Sequence, residues 1–126
     1  MAKNFYITTT LPYVNAEPHI GFAFEIVQAD IIARYNEQFL GKEVFFNTGT
    51  DEHGAKIFKK AEEAGITAQE YVDMFSDKFK ALIPLLGISS DVVFTRTTDK
   101  HHIKSAQEFW KVCDKNGFIY KKICSK

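Results

Sequence analysis

Aromatic and β-branched residues crowd the start of the chain: Phe5, Tyr6 and Ile7, followed by Thr8, Thr9 and Thr10. That run predicts a buried opening strand. Pro12 and Pro18 then forbid regular structure until about residue 19. From residue 20 to residue 40 the spacing turns helical, with Phe24, Val27, Ile31, Tyr35 and Phe39 on one stripe, Asp30 and Arg34 four apart beside it, and Gly41 as the stop. Val44, Phe45 and Phe46 form a run short enough for a buried strand, opening into a polar loop over residues 48 to 54. A helix over residues 55 to 64 closes at Gly65, and Thr67 with Glu70 has the spacing of a capping box for a longer helix. Tyr71, Phe75, Phe79, Leu82 and Leu86 are its expected buried face, and Pro84 should loosen the last turn before Gly87. Residues 91 to 95 read as a third strand. A helix over residues 99 to 115 follows, with Ile103, Ala106, Trp110 and Cys113 as its stripe and Trp110 expected in the core. Asn116 and Gly117 stop it, and Phe118, Ile119 and Tyr120 begin another extended piece with almost nothing left to pair with.

Strands alternating with amphipathic helices predict an α/β fold, with right-handed crossovers and a mostly parallel sheet flanked by helices. Ligands bind such sheets outside the carboxyl ends of the strands. The loops leaving those ends are residues 10 to 21 and 48 to 54. A chain of 126 residues has length for one hydrophobic core, hence one domain or part of one. Composition changes this picture little: 45% hydrophobic and 25% charged residues, with twelve phenylalanines, describe a globular protein and exclude disorder. No run reaches the roughly 18 apolar residues of a membrane span, and residues 1 to 10 lack a signal core, so the chain is expected to stay in the cytoplasm without membrane contact. Cys113 and Cys124 fit a reducing compartment, Cys113 as a buried, inert thiol and Cys124 in a frayed tail; two cysteines are too few for a zinc site.

Net charge is zero but uneven. Residues 1 to 55 carry three Lys/Arg against seven Asp/Glu, while residues 111 to 126 carry five lysines (Lys111, Lys115, Lys121, Lys122 and Lys126) against one aspartate. The basic end could touch a phosphate backbone, and a solvated helix face explains it equally well.

Neither loop holds a G-x-G-x-x-G or G-x-x-x-x-G-K-[ST] pattern, so the usual dinucleotide and P-loop cradles lose support. The first loop instead supplies His19 and Gly21 at the mouth of a helix, where backbone N–H groups and the helix dipole favour an anion and Gly21 leaves room for a nucleotide. Histidine there can donate to a phosphate oxygen as charge grows on it. In the second loop Asp51 suits an ammonium group. Asp51, Glu52 and His53 together are a weaker candidate for a hard divalent ion, since their spacing matches no dedicated metal loop. His53 reads either as a hydrogen bonder at a helix start or as a substrate neighbour. His101 and His102 read as capping or solvent-facing groups.

TLPYVNAEPHIGF at residues 10 to 22 resembles the first signature of class I aminoacyl-tRNA synthetases, usually His-Ile-Gly-His. With FFNTGTDEHG at 45 to 54, FTRTTDKHH at 94 to 102 and NGFIYKK at 116 to 122, the chain resembles the methionyl-tRNA synthetase family over nearly its whole length. The resemblance implies a Rossmann-like parallel sheet, residues 1 to 126 forming the N-terminal half of the class I catalytic domain and ending near the connective insertion. It implies activation of methionine by ATP with Mg2+ to methionyl-adenylate, then transfer to tRNA(Met), the tRNA being held mainly by regions outside this chain. The remainder of the catalytic domain is the implied intramolecular partner, and a structural zinc would belong to the connective domain.

By the same resemblance, Thr10, His19, Gly21 and Phe22 correspond to ATP-contacting positions, with His19 stabilising the transition state at the α-phosphate. The Leu11 carbonyl and the Asp51 carboxylate correspond to the groups meeting the methionine ammonium, and Tyr13 to an aromatic wall of the methionine pocket. No metal ligand is implied here. Phe22 departs from the signature: a histidine could donate to the nucleotide where phenylalanine offers only its ring. Phe22→His is therefore expected to speed adenylate formation if that donor is lost. The second class I signature, Lys-Met-Ser-Lys-Ser, does not occur. Other readings are a synthetase for another aliphatic amino acid, a related nucleotidyltransferase, or a non-catalytic binding or structural module derived from such a half. The TGTDEHG loop at residues 48 to 54 argues against the other synthetases and the nucleotidyltransferase.

Overall fold

The computed structural model describes residues 3 to 123, so Cys124 and Lys126 lie outside the described residues. Its elements are β1 (Asn4–Thr8), α1 (Ile20–Arg34) running into a π-helical turn (Tyr35–Phe39), β2 (Glu43–Thr50), α2 (Ala55–Ala64), α3 (Ala68–Leu85), β3 (Val93–Arg96) and α4 (Lys100–Lys115). The strands form one parallel sheet in the order β1-β2-β3. β1 registers Tyr6 against Phe45 and Ile7 against Phe46, while β2 registers Thr48 against Phe94 and Gly49 against Thr95. Gly49 is required by that pairing, because a Cβ there would collide with the Thr95 carbonyl.

The strands follow one another across the sheet in chain order, so crossovers of one hand put the intervening helices on one face, as the single core cluster shows. The core sits there: Phe46, with Ile7, Val44 and Phe94 partly buried beside it, packs with Phe22, Ile26, Ala29 and Ala33 of α1, Ile57 and Ala61 of α2, and Tyr71, Val72 and Phe79 of α3. The Phe22 and Phe79 rings meet edge to face with centroids 5.2 Å apart. Tyr6, Phe45 and Val93 point the other way and stay exposed, Tyr6 stacking on Phe45 at 5.5 Å. A parallel sheet ordinarily has both faces covered; here one is covered.

Several expectations change. The opening strand is only half buried and alternates along its length, with Tyr6 61% exposed. The stripe of Phe24, Ile31, Tyr35 and Phe39 is the exposed side of its helix, whereas Phe22, Ile26, Ala29, Asp30 and Ala33 face the core. The reason is that α1 is apolar around most of its circumference, so periodicity does not select a face, and the small Ala29 and Ala33 let the backbone approach the sheet. Its continuation is a π turn rather than a regular helix. There the buried Asn36 donates to the Ile32 carbonyl at 2.9 Å and accepts from Lys42 at 2.9 Å.

The second strand is longer than the apolar triplet suggested. Thr48, Gly49 and Thr50 belong to it because they pair with β3 and because buried hydroxyls find partners, Thr48 with Thr9 at 2.7 Å and Thr50 with Glu52 at 2.6 Å. The polar loop shrinks accordingly to residues 51 to 54. The third strand lies later than residues 91 to 95, at Val93–Arg96, which brings Arg96 into the sheet. α4 buries none of its residues: Trp110 is 60% exposed instead of core and Cys113 is half-buried, because no other described element packs closely on their stripe. Residues 118 to 123 form no strand.

The short-range signals behave as the sequence predicts. Thr67 and Glu70 form the full capping box, Gly65 takes the left-handed conformation at φ 69° that ends α2, and Pro84 sits in the last turn of α3. No described helix is long and apolar enough to cross a membrane.

The bare sheet face and the exposed Phe24, Ile31, Trp110 and Phe109 give these residues taken alone a sticky surface. Sedimentation of the isolated 126-residue chain is expected to show concentration-dependent association, and a clean monomer across the range would contradict it.

Candidate active site

Both chemically rich loops leave the carboxyl ends of neighbouring strands, β1 and β2, and the backbone fastens one to the other. Tyr13 and Asp51 form a parallel bridge, the Asp51 amide donates to the Pro12 carbonyl at 2.9 Å, and the Val14 amide donates to the Asp51 carbonyl at 3.2 Å. Val14 is fully buried and pins the loop. Leu11, Tyr13 and Asp51, expected to act together, are thus brought side by side, all three half-buried. The Tyr13 ring lies over Gly54 at the start of α2, where a Cβ would collide with its hydroxyl.

His19 is the N-cap of α1. Its Nδ1 accepts the Gly21 amide at 3.1 Å, and its carbonyl accepts from the Phe22 amide at 3.1 Å. A backbone N–H can only donate, so Nδ1 carries no proton and the neutral ring is the Nε2–H tautomer. The free donor is therefore the exposed edge of the imidazole, beside a helix terminus that favours negative charge. Gly21 is part of the same device, since a Cβ there would stand 2.9 Å from the His19 ring.

Thr10 directs both its amide and its hydroxyl at Glu25, each at 2.7 Å, a partner that sequence reasoning did not identify. Phe22 is different from the other expected nucleotide contacts. Its ring is 4% exposed and sits edge-on to Phe79 within the core. That position gives the burial its own explanation and leaves the ring no open face.

Asp51, Glu52 and His53 diverge. The Asp51 side chain makes no hydrogen bond or ion pair with the described residues. His53 donates Nε2–H to the Thr97 carbonyl at 3.1 Å, a contact across to the end of β3 rather than a cap on α2. Glu52 turns inward with a fully buried side chain and takes a fork from Arg96, Nε at 2.7 Å and Nη2 at 3.0 Å. Thr50 and Thr98 hydroxyls donate to the same carboxylate, the Glu52 amide donates to Thr97 Oγ1 at 2.8 Å, and Arg96 also grips Asp73 of α3 at 2.5 Å. Among the described residues no three His, Cys, Asp or Glu side chains converge as metal ligands.

Burial pushes the Glu52 carboxyl up, but the hydrogen bonds from Arg96, Thr50 and Thr98, with the Arg96 charge, outweigh it and hold the group below its usual 4.5. The hydrogen bonds and charges of Glu52 and, after it, Asp73 hold Arg96 more firmly protonated than usual. This network was missed because its partners are 44 residues apart. One signal was present: the chain has two arginines, Arg34 and Arg96, and both pair with buried carboxylates, Asp30 and Glu52.

Comparison with known proteins matches residues 5 to 126 to the family described as tRNA synthetases class I (M). The chain is 52% identical over 119 residues to a methionine--tRNA ligase of Thermotoga maritima, covering 94% of this chain and 19% of that protein. Among solved structures it superposes with TM-score 0.85 and 39% identity on Mycobacterium tuberculosis methionyl-tRNA synthetase in complex with methionyl-adenylate, covering 91% of this chain and 22% of that one. A LeuRS of Agrobacterium radiobacter K84, at TM-score 0.80 and 23% identity over 94% of this chain and 15% of that one, shares the fold. The chain thus spans about a fifth of the length of the relatives it matches, 19% and 23% for two of them.

Two outcomes follow from the buried groups. Phe22→His places a polar ring against Phe79, and thermal or denaturant unfolding of the full-length protein should show a loss of about 1–3 kcal/mol. A Glu52 carboxyl lowered in the folded state stabilises above its unfolded value of 4.5 and loses that contribution as pH falls through the folded value. Thermal midpoints taken from neutral pH into acid should therefore fall less steeply for Glu52→Gln than for wild type below about pH 4.5.

Proposed function

The chain belongs to the class I (M) tRNA synthetase family, and on that premise we propose that the full-length protein is a methionine--tRNA ligase whose amino-acid and nucleotide subsites begin on the two joined loops. The observation that carries this reading is the Tyr13–Asp51 bridge, which sets an unengaged carboxylate beside an aromatic ring at the carboxyl ends of the strands. In the reaction proposed, the carboxylate oxygen of methionine attacks the α-phosphorus of ATP, the bond to the β-phosphate oxygen breaks, and pyrophosphate leaves with the electron pair. The nucleophile is already ionised, so no protein base is needed, and positioning with charge stabilisation supplies the acceleration.

Asp51 pairs with the methionine ammonium, the Leu11 carbonyl accepts a second of its hydrogens, and Tyr13 forms a wall beside the side chain. The His19 Nε2–H donates to a phosphate oxygen as negative charge builds there, and Gly21 keeps the helix mouth open to the nucleotide. Thr10 contacts the nucleotide from the β1 end by releasing Glu25. Phe22 acts in packing, holding α1 against α3 so that His19 is presented correctly. Mg2+ enters with ATP as part of the substrate. The adenylate is consumed by the terminal adenosine of tRNA(Met), held mainly by parts of the protein outside this chain, in the cytoplasm.

Asp51→Ala in the full-length protein removes one side of a desolvated charged pair, and methionine use should weaken by roughly 2 to 5 kcal/mol with ATP binding little changed. ATP–pyrophosphate exchange with each amino acid in turn, and with methionine and ATP titrated separately, is the measurement. Equal damage to both substrates would refute the role, and exchange with another amino acid but not methionine would refute the function.

A further inference from the structure

We propose that Arg96 is a positioning residue for the amino-acid end of the site, fixing through Glu52 the backbone on which Asp51 and His53 stand; this role rests on the function proposed above. The connection from β2 to α2 is four residues long, 51 to 54. On one side the Asp51 backbone is bonded to residues 12 and 14. On the other, Glu52 is held by the Arg96 fork at 2.7 and 3.0 Å, and its neighbours by Thr97, whose hydroxyl accepts the Glu52 amide and whose carbonyl accepts from His53. Asp51 therefore stands on a peptide tied to β1's loop before it and to β3's end after it.

Arg96 has a second effect. It touches two carboxylates at once, Glu52 through Nε and Nη2 and Asp73 through Nη2, so the cluster keeps one net negative charge. The field next to Asp51 then favours an incoming cation, and Asp51 remains without a partner among the described residues. Lysine cannot reproduce this, because a single ammonium cannot offer a planar fork to one carboxylate and a further N–H to another. Asp73 lies on α3, 48% exposed at its side chain, so it steadies Arg96 from outside the buried pair.

The test uses the full-length protein, with initial rates of methionine-dependent ATP–pyrophosphate exchange for wild type, Arg96→Gln, Arg96→Lys and Asp73→Asn. Arg96→Gln should raise the KM for methionine by about tenfold or more, with Arg96→Lys and Asp73→Asn rising by smaller factors, while the KM for ATP stays within about twofold in all three. A parallel rise for both substrates, or a loss confined to kcat and thermal midpoint, would overturn the proposal. If Arg96→Gln does not fold, Asp73→Asn decides, since it leaves the buried pair intact: an unchanged methionine KM there is the overturning result. Wild type that exchanges with a different amino acid would sink the proposed function instead, and the same KM split with that amino acid would still support Arg96 in its role.

Discussion

A carboxylate removed from water must be matched by charge and hydrogen bonds, and the Glu52 side chain is fully removed from it. Leaving that charge unpaired would cost more than most single contacts in a domain contribute. Meeting the requirement draws in Arg96 from the end of β3, Thr50 from β2, Thr98 from the turn after β3 and Asp73 from α3. Three stretches of chain, residues 50 to 52, Asp73 of α3 and residues 96 to 98, are thereby held to one point beside Asp51. Buried ion pairs add little net stability compared with apolar packing, but they are strongly directional, and here the direction coincides with the place where substrate geometry would have to be exact.

The apolar core and this polar network divide the labour. Phe22, Ile26, Phe46, Val72 and Phe79 hold α1 and α3 to one face of the sheet, and thereby hold the N-terminus of α1 at the end of β1. The bridge at Tyr13 and Asp51 then brings the first loop onto the second. The His19 imidazole and the Asp51 carboxylate, proposed above to meet nucleotide and ammonium, are carried on different elements, yet both elements are anchored to the same central strand.

What the sequence made legible was what short range decides. The capping box at Thr67 and Glu70, the stop at Gly65 and the helix start at His19 depend on residues within a turn of one another, and each stands where it was expected. The parallel α/β class followed from alternation of strands and helices, and the place of the two loops from the rule about strand ends, whereas their joining through Tyr13 and Asp51 had no signal at short range. Faces were harder to read. α1 carries apolar residues around its circumference, so the choice of Phe22 over Phe24 is made by the shape of the sheet below it. Trp110 looked like core because core is the usual place for tryptophan, but burial depends on a closely packed neighbour, and no described element packs closely on α4. The length of β2 was also hidden, since Thr48 and Thr50 look like loop residues until their hydroxyls find partners.

The three strands lie in space in the same order as along the chain. Each strand after the first meets a partner that has already been made, with α1, and later α2 and α3, synthesised in between and ready to cover the pair. β1 waits for β2 and β2 for β3, but no strand has to hold a place open between two others while synthesis proceeds at about 5–20 residues per second. Growth of the sheet is therefore vectorial, and Gly49 acts as a gauge of its success: only when β3 arrives in the proper register does the bare backbone at that position gain its close neighbour.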